Sequence, residues 1–355
     1  MPSANAVAAA RPDFTVDGRD EASLAEGLLS LLIVEDTSGL YRCEATFGNH
    51  GPRGQTVDFL YFDRRTLEFG KTFQVKLGQD RIFDGRIMGL EGHFPEGQPP
   101  QITVLAEDRF QDLRMTRRTR TFANINDVDL IRQIASDHGL SANIDARGQT
   151  HKVLAQVNQS DLAFIRERAR AMDAELWMDD RTLNARPYAS RGTNALELSY
   201  GRDLREFSAL ADLAHQRTSV TVAGWSALDK TSVSHQAEVA VISAELNGGD
   251  SGARILESAL GARKESIVHT APTTVNQAQA EAEALFKLYA RRFVTGRGVA
   301  ATSSQLRAGA YVDLKLLGPL FSGKYYVSEI RHLFDGVDGL RTEFSAERPG
   351  LGRQP

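Results

Sequence analysis

The 355-residue sequence contains one cysteine, Cys43. A single thiol excludes an intrachain disulfide framework and any cysteine-rich zinc site. No charge sign dominates. The 42 Lys+Arg against 46 Asp+Glu leave a net charge of −4, whereas a general nucleic-acid binder carries a basic excess. Long hydrophobic runs are missing as well. The best stretch, Leu28 to Val34, is interrupted by Ser30 and stopped by Glu35-Asp36. It falls far short of the roughly 20 apolar residues of a membrane span, so no direct membrane insertion is expected. The N-terminus, MPSANAVAAARPD, lacks the basic and apolar regions of a secretory signal. A soluble product made in a cytoplasm, with a flexible tail over 1–20, is expected.

What is present is enough for a large core. Hydrophobic residues are 41% of the chain, and 30 glycines raise the apolar-plus-Gly share to about half. The length exceeds the roughly 250–300 residues at which single cores stop growing, so several domains are expected. From Leu24 to Arg109 the pattern reads as short strands. Leu40 to Phe47 alternates, and Val57–Phe62, Thr72–Leu77, Arg81–Leu90 and Gln101–Ala106 are further β-like runs. Gly, Pro, Asp and Asn clusters separate them, as in a barrel or sandwich.

The middle changes character. Asn126 to Gly139 reads as a helix with Asn126 as N-cap and Gly139 just beyond its end. Its apolar stripe is Val128, Ile131, Ile134 and Ala135. A second helix starts near Ser160, with Leu162, Ile165, Ala169 and Met172 on one face, and a hairpin turns at Asp179-Asp180. From 201 the strands return: Thr218–Ala223, Ala237–Leu246, Tyr311–Leu317, Tyr325–Leu333 and Leu340–Ala346. A long helix over 275–294, capped by Thr274, carries Val275, Ala278, Ala282, Leu285, Tyr289 and Phe293, with Gly296 and Gly298 ending it. The expected domains are 21–112, 113–200 and 201–348, with a tail at 349–355.

Two distant segments match. Residues 70–109 and 309–348 share Lys-Leu before a glycine, then Phe-x-Gly-basic: Phe83, Gly85 and Arg86 against Phe321, Gly323 and Lys324. His93 and His332 follow at similar distances, and Glu107 and Glu347 close the copies. This reads as a duplicated strand–turn–strand. The Phe packs inward, the Gly admits close backbone, the basic residue faces solvent, and the two histidines share a packing role.

Chemistry is hard to find. Gly318 to Lys324 fits GxxxxGK, but Tyr325 replaces the required Ser or Thr and the following run is strand-like. The eight histidines make no close ligand pair, no GxSxG occurs, and Cys43 sits in an alternating strand. No catalytic, metal or cofactor residues are assigned, and no enzymatic activity is expected. The densest basic run is Arg114, Arg117, Arg118 and Arg120, read as a solvated strand edge, a subunit contact or a lumen surface. Trp177 and Trp225 read as core or interface anchors.

Several short motifs, in order, resemble phage late control gene D proteins. They are Ala106–Arg109 with Arg117–Phe122, Gln159–Ala169, Ala174–Met178 with Arg181–Leu183, Val220–Trp225, and Phe321–Val327 through His332. That family is the baseplate hub of contractile phage tails and related injection systems, and is similar to the N-terminal hub part of VgrG. The resemblance implies an α+β, mainly β chain with two tail-tube-like β-barrel domains flanking a small α+β insert. It implies a homotrimeric ring adapting a three-fold spike to a six-fold tail tube. Partners would be a separate trimeric spike protein, the hexameric tube protein and other baseplate proteins. The location would be a virion tail baseplate or injection-system particle assembled in the host bacterial cytoplasm. The alternatives are a peptidoglycan hydrolase, which needs two converging carboxylates, and a carbohydrate- or receptor-binding β module. Aromatics at 8% favour the latter little.

Overall fold

The computed structural model describes residues 11–192, 195–270 and 272–352. The first part holds β1 (Asp13–Val16), β2 (Leu28–Asp36), β3 (Arg42–Gly48), β4 (Thr72–Leu77), β5 (Asp80–His93) and β6 (Gln101–Glu107). The insert holds β7 (Arg117–Asn126), α1 (Asp127–Asp137), β8 (Thr150–Ser160), α2 (Asp161–Ala171), β9 (Ala174–Asp179) and β10 (Thr182–Pro187). The last part holds β11 (Leu204–Ala211), α3 (Val275–Arg291), β12 (Val294–Ala301), β13 (Tyr311–Lys315), β14 (Gly323–Asp335) and β15 (Gly339–Arg348).

The sequence builds these elements for local reasons. On β3, Cys43, Ala45 and Phe47 are buried while Arg42 and Glu44 are exposed, the period-two pattern of a half-buried strand. Asn126 caps α1 by accepting from the Val128 N–H at 2.9 Å, Ser160 caps α2 from Ala163, and Thr274 caps α3 from Gln277.

One 13-stranded sheet runs through both ends of the chain, with the order β11-β12-β15-β14-β2-β3-β6-β5-β4-β1 along its main path. Within it, β2–β6 and β11–β15 are the same unit twice. Ile87 pairs with Ala106 and the ladder resumes at Gly89–Leu105; Val327 pairs with Ala346 and the ladder resumes at Glu329–Ser345. A second bulge recurs, between Leu28 and Ser30 on β2 and between Leu204 and Glu206 on β11. The entries to β4 and β13 agree as well. Gly70 and Gly309 donate to Ile87 and Val327 carbonyls, both at 2.8 Å, and both glycines have positive φ, 78° and 86°. Bulges re-aim a strand at a fixed place, so two shared bulges tie the registers residue by residue.

The units join where β14 pairs antiparallel with β2, from Glu329–Asp36 to Asp335–Ser30. Each unit has its own core, and Phe334 from the second unit enters the first unit's core. A third core lies in the insert, built on α1, α2, β9 and β10. A fourth lies between α3 and the strands Ser219–Ser226 and Thr231–Glu238.

Several expectations are corrected. The strands lie in open sheets: among the described residues no sheet closes into either expected barrel. Of the expected 1–20 tail, residues 1–10 lie outside the described residues, and the rest is no loose tail, because Phe14 is buried in β1 against β4. Of the expected 349–355 tail, Gly350 and Leu351 pair with Asp250 and Ser251, and residues 353–355 lie outside the described ones. The strand expected at Ala237–Leu246 is the end of Thr231–Glu238 followed by a 3-10 turn. Helix α3 stops at Arg291, and its buried stripe is Ala278, Ala282, Phe286 and Ala290, with Val275 exposed. Gly296 and Gly298 do not terminate it. They lie inside β12 because the Phe207 and Phe344 rings rest on the backbone there, where a Cβ would sit 2.2 and 2.6 Å from ring carbons.

Candidate functional site

The repeat residues do not form one cluster. Phe83 is buried in the first core, and a Cβ at Gly85 would lie 2.3 Å from the Glu107 carbonyl, so backbone passes close there. Arg86 does not simply face solvent; it pairs with Asp112 at 3.3 Å. Phe321 packs at the edge of the second core, and Gly323 has φ 129°. Lys324 lies 3.8 Å over the Tyr311 ring, an energetically useful cation–π contact. The strand ladders place Gly85 and Arg86 at the positions of Tyr325 and Tyr326, not of Gly323 and Lys324. The Phe-x-Gly-basic matches are therefore two residues out of register, although the duplicated topology is real.

The histidines are corrected most clearly. His332 is fully buried and bonded through Nδ1 to Thr342 at 2.8 Å, whereas His93 is exposed at the end of β5. The ladders equate His332 with Gly92. The shared packing role does not exist. Burial holds the His332 imidazole at about 4, well below its ordinary range.

The arginine run splits in two. Arg114 pairs with Glu107, and Arg117 donates to the Asn158 carbonyl at 2.9 Å. Arg118 and Arg120 reach inward to Asp161, at 3.0 and 2.8 Å. His138 and Gln156 complete this shell at 2.8 and 2.9 Å. Burial alone would raise the Asp161 carboxyl, but the His138 and Gln156 bonds and the two arginines hold it below the usual carboxylate range. A second buried carboxylate, Asp127, is held low in the same way by His151 and Arg168 against its own desolvation. Arg120 therefore braces the insert from a partly buried position, while Arg118 holds Asp161 from the exposed surface.

Sequence reasoning missed the groups that lock the three parts together. Arg291 at the end of α3 pairs with Asp173 of the insert and with Glu245, and lies 3.8 Å over the Tyr188 ring. Arg191 bonds Glu175 and the Tyr41 hydroxyl, both at 2.8 Å, and covers Trp177 at 4.5 Å. The Tyr326 hydroxyl donates to Glu175, and Arg307 pairs with the buried Glu35 at 2.7 Å. Most of these ties cross more than 100 residues of sequence, among them Arg291–Asp173, Arg191–Tyr41, Tyr326–Glu175 and Arg307–Glu35, and no local pattern announces them. Trp177 is thus an anchor between parts, while Trp225 is 57% exposed.

A cleft lined by Glu35, Tyr41, Trp177, Asp179, Arg191 and Arg307 sits at this meeting point. Two of its carboxylates are paired, Glu35 with Arg307 and Asp179 with Arg81, and Glu197 also lines it. No two of them converge unpaired, as glycoside hydrolysis would require. Part of the second unit's sheet face away from its core is polar. Glu206, Arg297, Glu329, Arg331 and Glu343 line a shallow groove across β11, β12, β14 and β15. The chemistry available is recognition by a wide sheet and a rigid, ion-tied frame.

A family model described as Alg8 N-terminal domain matches residues 53–335, well over half of the chain. The chain belongs to that family. A search of curated protein sequences gives no match. Among solved structures, the chain is similar to the 43 kDa tail protein of prophage MuSo2 from Shewanella oneidensis. Identity is 13%, 96% of this chain and 98% of that chain are covered, and the TM-score is 0.71. It is similar to a tail protein from Neisseria meningitidis MC58 at 12% identity, 96% and 97% coverage and TM-score 0.70. It is also similar to an E. coli component of the type VI secretion system at 11% identity, 93% and 76% coverage and TM-score 0.60. At these identities the likeness establishes the fold alone, one shared with these two tail proteins and this secretion-system component.

Proposed function

We propose that the protein is a structural hub of a contractile phage tail or related injection system. In this reading three copies form a ring whose six sheet units meet a six-fold tube on one side and a trimeric spike on the other. One observation carries the proposal: a five-strand unit occurs twice in one chain, in matching register, joined edge to edge in a single sheet. Two like units per chain give a trimer six like surfaces, which is the geometry a three-to-six adaptor needs. The late control gene D and VgrG resemblance and the tail-protein fold support the same assignment.

Each unit supplies one of the two tube-like domains, 21–112 and 201–348. The 113–200 insert is the brace between them, and the polar groove of the sheet faces the lumen. Arg114 and Arg117 contribute to subunit contact. The site of action is the tail baseplate or injection particle, and the role is assembly rather than catalysis. Light scattering on purified protein, alone and with its cognate spike, tests this. A trimer that binds the spike is expected; a lasting monomer that ignores both spike and tube overturns the proposal.

A further inference from the structure

Two strand edges are open among the described residues. β5 pairs with β4 only as far as Arg86, and Gly89–His93 pair with β6 alone. β11 pairs with β12 on one side and with no strand on the other. Long unprotected edges are templates for adding another strand. These edges also carry exposed apolar side chains: Leu210 on β11 is 61% exposed and Phe94, just past β5, is 64% exposed. Phe94 belongs to an aromatic group with Phe59 and Phe62, with ring centroids 6.4 and 5.4 Å away.

The chain itself contains the joint that these edges would make. β14 is the counterpart of β5, β2 is the counterpart of β11, and β14 is already paired with β2. The shared bulges fix the correspondence. Ile33 lies opposite Cys43, which faces Ala106; Ala209 lies opposite Gly296, which faces Ala346. Ile33 therefore corresponds to Ala209, and Leu31 to Phe207. On the other strand Phe334 corresponds to Phe94. Inside the chain Phe334 lies opposite Leu31 and is 4% exposed; its counterpart Phe94 has no such cover.

We infer that Gly89–Phe94 of one copy adds antiparallel to the open edge of β11 in a second copy, in the register of the internal β14–β2 joint. Phe94 then lies opposite Phe207, Gly92 opposite Ala209, and Glu91 opposite Leu210. The occupant is a second copy because the two complementary edges, each with its matching bulge, belong to the two units of the same sheet. The joint repeats head to tail, so it closes only as a ring. This inference rests on the hub reading and adds to it the strands and register of the contact.

The test uses the full chain with paired cysteines and a short bis-maleimide linker. Cys43 is fully buried and stays silent. The matched pair is Glu91→Cys with Leu210→Cys. The displaced control is Glu91→Cys with Glu206→Cys, which moves one thiol four residues, about 13 Å, along the strand. Rapid inter-chain linking of the matched pair, with little in the control, is expected. Phe94→Ser, at a position exposed in the single chain, is expected to weaken association by about tenfold or more while leaving the far-UV circular dichroism unchanged. An oligomer that links only in the control, or not at all, overturns this joint and leaves the hub reading standing. A protein that stays monomeric overturns both.

Discussion

Replacing His332 tests how the joint between the two units responds to acid. The imidazole lies on β14 opposite Ile33 of β2, is fully buried, and has no hydrogen-bond partner for Nε2 among the described residues. Burial depresses it from 6.5 to about 4; nearby Glu35 opposes that shift and Arg307 adds to it. The unfolded chain therefore takes up this proton near 6.5, while the folded chain refuses it until about 4. The stability that comes from keeping His332 neutral is fully present above 6.5 and is lost as pH falls towards 4. At pH 5 this single group costs about 2 kcal/mol relative to pH 8. His332→Asn keeps an amide near the Nδ1 position for Thr342 and cannot be charged. The assay is thermal or urea unfolding of both proteins from pH 8 to pH 5. The stability gap between wild type and variant should narrow by about 2 kcal/mol on acidification. A gap that stays constant would refute the argument that His332 is buried neutral at the joint.

Asp108 runs the other way. Burial raises its carboxyl to about 7 despite N–H bonds from Tyr41 and Phe110, so Asp108→Asn should gain stability relative to wild type as pH rises from 4 to 7, read by the same unfolding curves. Asp161→Ala removes the buried anion shared by Arg118, Arg120 and His138, leaving Arg120 only Asp137, and should cost about 3 kcal/mol, with hydrogen exchange rising first in the insert. Arg291→Ala should cost a similar amount, about 3 kcal/mol, and make the insert more open to proteolysis, since Glu245 loses its partner and Asp173 keeps only Lys287. Gly296→Ala should destabilise by about 2 kcal/mol in urea titration, because the Phe207 ring occupies the space a methyl needs.

Local pattern made part of this fold legible. The caps at Asn126, Ser160 and Thr274 and the alternation through Cys43, Ala45 and Phe47 are short-range signals, and the structure follows them. The duplication was legible as topology but misaligned in detail. Phe-x-Gly-basic is a weak pattern, and a two-residue slip inside a hairpin keeps every side chain on the same face and leaves the hydrophobic alternation intact. Only the bulges set the register, and a bulge has no strong residue signature here. The buried ion pairs were not legible. Asp161 opens α2 with no local sign of burial, and its partners Arg118 and Arg120 lie about 40 residues earlier on β7. Gly296 was misread as a helix stop because a glycine that admits a ring and one that ends a helix look alike in sequence.

The most direct measurement is imaging of the purified assembly viewed down its axis. The account predicts three chains and six nearly equivalent lobes around a central opening, with the joints within chains and between chains alike in strand pairing. A two-fold dimer, or a ring whose six lobes come from six chains, would contradict it.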